Sequence, residues 1–222
     1  MTAFPHPRFD DLRKLAAEPA RALLARGHAA LQTPLDAPED APAATLLAEL
    51  SGKGATADML LLLAHALPAR EAVWWACLSA RDLLDEGAAP TAPLAAAEAW
   101  VLRPGAEARV RARAALEGAH HLDDSALCAM AASMADGTLG PGELEDFAAP
   151  AGAVGGAAHA MALLSLYHDE TRVETQGRWL VARALDIARG GSGQVPAPAS
   201  DPTPAPARGE DPMAGLETEA AP

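Results

Sequence analysis

Residues 66–81, Ala-Leu-Pro-Ala-Arg-Glu-Ala-Val-Trp-Trp-Ala-Cys-Leu-Ser-Ala-Arg, constrain the fold more than any other stretch of the chain. Pro68 suits the first turn of a helix, where its missing N–H leaves nothing unpaired. Glu71 follows where a carboxylate meets the positive end of the helix dipole. Val73, Trp74, Cys77, Leu78, Arg81 and Leu84 recur at helical spacing and predict one buried face, with a stop near Gly87. Trp75 falls off that face, so it is expected to pack on a different neighbour or to lie partly exposed. A helix this apolar belongs in the middle of a bundle.

The rest of the chain reads as more of the same kind of element. Half of the residues are hydrophobic, yet aromatics are only 4%, and much of the apolar content is alanine. Such a chain favours helices over sheets. The expectation is an all-α fold, an irregular bundle of eight to ten short helices.

Helical patterns are expected over residues 9–17, 20–26, 43–50, 57–66, 94–102, 107–118, 125–135, 151–167 and 174–189, with Pro and Gly between them. Thr56 and Asp124 are the expected caps of two of these helices. Arg109, Arg111 and Arg113 suggest that residues 107–118 form a solvated helix covering the bundle. Residues 137–150, with Gly137, Gly140, Pro141, Gly142 and Pro150, should form a long surface loop suited to interaction. The organisation that follows is an N-terminal arm with short helices and a Pro-rich connector over 1–41, a helical core over 42–190, and a disordered acidic Pro/Ala-rich tail over 191–222. Within that tail, residues 213–220 are the one place where a weak turn of helix is expected.

Net charge of −13 without a basic patch argues against nucleic acid or an anionic membrane as partner. The N-terminus lacks the basic and apolar regions of a signal peptide. The longest uncharged apolar run, residues 151–167, is short for a span and reads as a buried helix, so no membrane insertion is expected. Two cysteines without metal spacing fit reduced thiols in the cytoplasm, and they leave room for a single bridge.

No phosphate-binding loop, nucleophile elbow, paired Cys-x-x-Cys or zinc-protease helix is present. His120, His121, Asp123, Asp124 and Cys128 lie close in sequence, but adjacent residues at a helix end point apart, and the acids are better read as a cap. Tyr167-His168-Asp169-Glu170 reads as a polar helix end. Neither a catalytic residue nor a cofactor or metal is therefore assigned. His65 and His159 sit inside apolar helices, where a hydrogen-bonded core histidine is the commoner outcome. If the two imidazoles meet, they define an interior polar site.

Ala66-Leu67-Pro68 followed by Arg70-Glu71-Ala72-Val73-Trp74-Trp75-Ala76 resembles the hallmark of an uncharacterised bacterial family of helical proteins, domain of unknown function DUF6931. Three further stretches agree with it: residues 97–101, the glycine-bearing loop at 136–141, and residues 184–190. The resemblance spans about residues 42–191. It implies an all-helical fold and no assigned activity, and it carries a contextual link to bacterial secretion systems, type VI clusters among them.

These readings converge on a non-enzymatic adaptor that binds another protein and is linked to a secretion or envelope assembly. The candidate surface is Arg70, Glu71, Trp75 and Arg81, with loop 137–150 beside it, because Trp and Arg dominate binding hot spots. The competing readings are an enzyme or small-ligand binder built around His65 and His159, and a structural homo-oligomer.

Overall fold

The structure is a computed structural model and describes residues 7–197. Among the described residues are nine α-helices: α1 Ala20–Arg26, α2 Ala43–Gly52, α3 Thr56–Ala66, α4 Ala69–Arg81, α5 Ala92–Leu102, α6 Ala106–Glu117, α7 Ala126–Ser133, α8 Ala153–Tyr167 and α9 Val173–Arg189. Two single 3₁₀ turns, Gly142–Asp146 and Glu170–Arg172, complete the regular structure. Among the described residues the one β-type pairing is an isolated antiparallel bridge between Thr138 and Ala148. The fold is all-α.

Helix α8 is the axis of the bundle, packed on α3, α4, α7 and α9. Gly155, Ala157, Ala158 and Ala162 are buried along it, and side chains this small let neighbouring backbones come close. Gly177 does the same for α9: a Cβ there would stand 2.6 Å from the Thr56 methyl at the start of α3. The leucines of α2 and α3 and the inner faces of α4 and α9 fill the remaining core.

Two sequence expectations change in the structure, at residues 9–17 and at residues 191–197. Residues 9–17 are not a helix but an irregular arm whose Lys14 N–H donates to the Ala188 carbonyl (2.9 Å) and whose Ala16 N–H donates to the Ala66 carbonyl (3.0 Å). Those carbonyls are orphans at the ends of α9 and α3, so the arm terminates two helices instead of making one. Phe9, Leu12, Leu15 and Ala16 still pack on the core, which is what their spacing reflected.

The Pro-rich connector is clipped down as well. Asp58 accepts from the N–H groups of Gln32 and Thr33, and Glu49 accepts from those of Asp36 and Ala37. Asp58 thus fastens the connector rather than simply occupying the first turn of α3. Ala20, Leu23 and Leu24 of α1 belong to the same core, so residues 7–41 are continuous with the body.

At the other end, residues 191–197 are not loose. Trp74 Nε1 donates to the Ser192 carbonyl (2.6 Å), Trp179 Nε1 to the Val195 carbonyl (3.2 Å), and Gly193 N–H to the Asp186 carboxylate (2.8 Å). Gly193 has φ of +73° and is buried against Ile187 and Leu78, a place only glycine fills easily. The remainder of the expected disordered tail, with residues 213–220, lies outside the described residues.

Smaller shifts have local causes. Helix α4 stops at Arg81 rather than near Gly87: beyond it the chain tightens into turns in which Leu83 N–H donates to the Ala80 carbonyl and Leu84 N–H to the Arg81 carbonyl. Thr56 opens α3 without a capping bond, and Asp123 rather than Asp124 accepts from Ser125 ahead of α7.

Candidate functional site

The paired tryptophans divide their roles in the opposite sense to the sequence expectation. Trp75 is 0% exposed, and its Nε1 donates to the Leu180 carbonyl of α9 at 3.2 Å. Trp74 is the half-exposed one, lying under Ser192. Trp75 therefore cannot belong to a surface patch. The periodicity failed because α4 is enclosed on several sides at once, by α5, α7, α8 and α9, so a single stripe does not describe it.

Each remaining polar group of the motif is engaged within the chain. Arg70 Nε donates to the Val101 carbonyl at the end of α5 (2.8 Å). Glu71 pairs with Lys14 of the N-terminal arm (2.8 Å). Arg81 holds Glu98 of α5 through two hydrogen bonds of 2.5 and 2.8 Å. The motif joins both ends of the described chain to the bundle, and what it leaves to solvent is a 230 Å³ cleft lined by Arg70, Glu71, Trp74 and Leu102, among others.

A second polar site is buried deeper beside the motif helix. Arg183 of α9 is almost fully buried, and its Nη1 binds both Asp82 carboxylate oxygens at 2.9 and 2.7 Å. Ser165 Oγ and Gln176 Nε2 also donate to Asp82, and the Arg183 guanidinium lies 3.5 Å from the Trp179 ring centre. Burial pushes the Asp82 carboxyl above its ordinary range despite the pull of Arg183 in the opposite direction. This network was missed in the sequence. Its signal was a charged residue inside an apolar stripe, Arg183 between Leu180 and Ile187.

Loop 137–150 is an ordered flap. Arg109, read as solvated, is buried and binds the Ser133 carbonyl and Thr138 Oγ1, and it forms an ion pair with Asp136. Arg111 and Arg113 are the outward residues of α6, each paired with a glutamate on its own helix. On the flap, Phe147 is exposed beside Glu143, Glu145 and Asp146.

His65 lies on α3 and His159 on α8, two helices that pack on each other. His65 lines a 330 Å³ cleft with Arg26, Met134 and the first turn of α8, among others. Its ring sits in a cradle of glycines: a Cβ on Gly27, Gly155 or Gly152 would come within 2.6, 2.9 and 3.0 Å of ring atoms. His159 Nε2 is buried without a hydrogen-bond partner. Among the described residues no group of three His, Cys, Asp or Glu side chains is arranged to hold a metal ion. His120 and His121 lean on each other at an exposed turn, and Cys128 faces into the core.

Burial holds the His65 imidazole below its ordinary value. His159 is lowered by burial first and by His65 second, with Asp58 opposing. Around the ordinary histidine value the unfolded chain therefore binds more protons than the folded one. The stability these groups carry is present above that value, near pH 6.5, and is lost below it as the pH falls through the lowered folded values. Urea midpoints should decline as the pH is lowered below about 6.5. His159→Asn should flatten that slope; an unchanged slope would remove His159 as a source of it.

Among the described residues no helix is long and apolar enough to cross a membrane. No curated protein and no solved structure matches the chain. A family model does: described as a family of unknown function (DUF6931), it matches residues 46–188, more than half of the sequence, and the chain belongs to that family.

Proposed function

We propose that this chain is a non-enzymatic adaptor that binds another protein in the cytoplasm through the outer face of α8. The observation that carries this reading is an apolar cleft of 550 Å³ lined by Leu83, Ala160, Leu163, Leu164 and Tyr167, with Asp124 and His168 at its edge. Leu164 is 36% and Tyr167 56% exposed, on the helix that otherwise forms the centre of the bundle. Contiguous apolar side chains of this size facing water mark interaction surfaces. Trp75 of the motif is enclosed, and Arg70, Glu71 and Arg81 each hold an intrachain partner, which favours the α8 face over the motif as the contact surface. Service to a secretion or envelope assembly is part of the proposal and rests on the family resemblance.

The test is recovery of partners from extracts of the native host with the wild-type chain and with Leu164→Glu. Helical content and melting temperature confirm that the variant is folded. Loss of a partner by the folded variant supports the reading, and equal recovery overturns it. Light scattering on both proteins separates self-association, which would give a larger particle that Leu164→Glu dissolves.

A small-ligand binder at the His65 cleft is the second reading, favoured by the unpartnered His159 Nε2 and by the glycine cradle. Native mass spectrometry of the full chain purified from its host separates the two. A retained small molecule supports the second reading, and a bare polypeptide mass favours the adaptor.

A further inference from the structure

The segment that follows α9 is seated on the molecule as a ligand would be. Gly190, at φ of +101°, ends α9, and residues 191–197 run on from it without regular structure. Two indoles from different helices hold this strap by its backbone. Trp74 of α4 donates to the Ser192 carbonyl, and Trp179 of α9 donates to the Val195 carbonyl three residues further on. Between them Gly193 gives its N–H to the Asp186 carboxylate and lies against Ile187 and Leu78. Pro196 restricts Val195 to extended backbone.

All of these bonds read main chain, and little apolar surface supports them. Gly193 is the one buried residue of the strap, and Val195 is half-buried. A segment held in this way opens at low cost. Beneath it stand two half-buried indoles, among the side chains most enriched at binding hot spots. The surface also reaches further than the strap. At the Gly191–Ser192 end it continues into the cleft lined by Trp74, Val101 and Leu102, where Leu102 is 74% exposed. The strap turns back to α9 at that end and leaves Leu102 open.

We propose that this groove is a docking site for an extended Gly-x-x-Pro segment of another protein, and that residues 191–197 occupy it as a built-in competitor.

The incoming segment offers two carbonyls three residues apart to the indole N–H groups. Its glycine takes the place of Gly193, where a Cβ would stand 2.8 Å from Ile187 and Leu78 side-chain atoms. Residues ahead of that glycine cover Leu102, and this contact is the gain over the strap, which otherwise makes the same bonds. The site is separate from the α8 face and stands or falls without it.

The test uses the full chain carrying Gly193→Val, whose side chain has no room at a φ of +73° and so frees the groove. Val195→Asp, which keeps the glycine and loosens the strap, is the second variant. Circular dichroism checks that both keep their helices, and NMR follows the Trp74 and Trp179 indole N–H signals. One probe is a synthetic peptide with the sequence of residues 191–197; a longer one carries two leucines ahead of it. In both variants the two signals should leave their wild-type positions and return towards them as either peptide is added. Valine in place of the peptide's glycine should weaken binding about tenfold or more. The longer peptide should bind more tightly than the shorter and should also displace the strap of the wild-type chain. Indole signals unmoved in both variants, or freed indoles that ignore the peptides at millimolar concentration, would overturn the proposal. Equal binding of the valine peptide, or a longer peptide with no advantage, would do the same. A wild-type dimer in light scattering that Gly193→Val converts to monomer would assign the groove to the strap of a second copy and overturn an outside partner.

Discussion

Trp75→Ala should destabilise the protein by about 3–5 kcal/mol, whereas Trp74→Ala should cost only about 1–2 kcal/mol. The two residues are adjacent and chemically identical, so the contrast isolates environment. Successive side chains on a helix diverge by about 100°. That angle sends Trp75 into the interior against α9, where truncation leaves a cavity enclosed by packed neighbours. Trp74 lies under the segment at Ser192, which can follow the shortened side chain or give way to water. Urea unfolding of both variants, with fixed m-value as the check on two-state behaviour, measures the difference. Equal losses would mean that the motif has no inside and outside.

Arg183→Ala should cost about 3–5 kcal/mol, because it leaves the Asp82 carboxylate buried with only Ser165 and Gln176 to satisfy it. It also removes the stack on Trp179, a contact on the order of 1–2 kcal/mol where solvent is largely excluded. The paired change Asp82→Asn with Arg183→Met should cost less than Arg183→Ala alone. Burial already outweighs the attraction of Arg183 in setting the Asp82 ionisation, so neutral side chains of similar volume relieve a desolvation cost as they lose an ion pair. A double variant as unstable as the sum of the single ones would show that the two groups do not act as a unit.

The helices were legible because each carries its own punctuation. α1 was placed to the residue, and α8 and α9 within a turn, from Pro and Gly boundaries and apolar spacing. Direction was not legible. Helical periodicity assigns one inner face, and α4 has neighbours on several, which is why Trp74 and Trp75 exchanged places. Residues 9–17 carried helical spacing because Phe9, Leu12 and Leu15 reach the core, but their backbone donors close the ends of other helices instead. The burial of Arg109, expected on a solvated face, and of Arg183 was not legible for a different reason. A buried guanidinium is tolerated only where partners from distant segments converge, and no local pattern records where Asp82, Ser133 or Thr138 will arrive. For His65 and His159 the sequence supplied the two imidazoles, while the glycines that make room for the His65 ring come from the end of α1 (Gly27) and the start of α8 (Gly152 and Gly155).

Hydrogen exchange at the indole N–H groups, followed by NMR in the folded full-length chain, is the most direct measurement of whether the Trp-Trp helix is the interior hub. The Trp75 indole proton should persist longest and be lost only with global unfolding, while that of Trp74 should exchange through local release of the segment at Ser192. Exchange of the Trp75 proton at the rate of Trp74, in a chain that remains folded, would contradict the account.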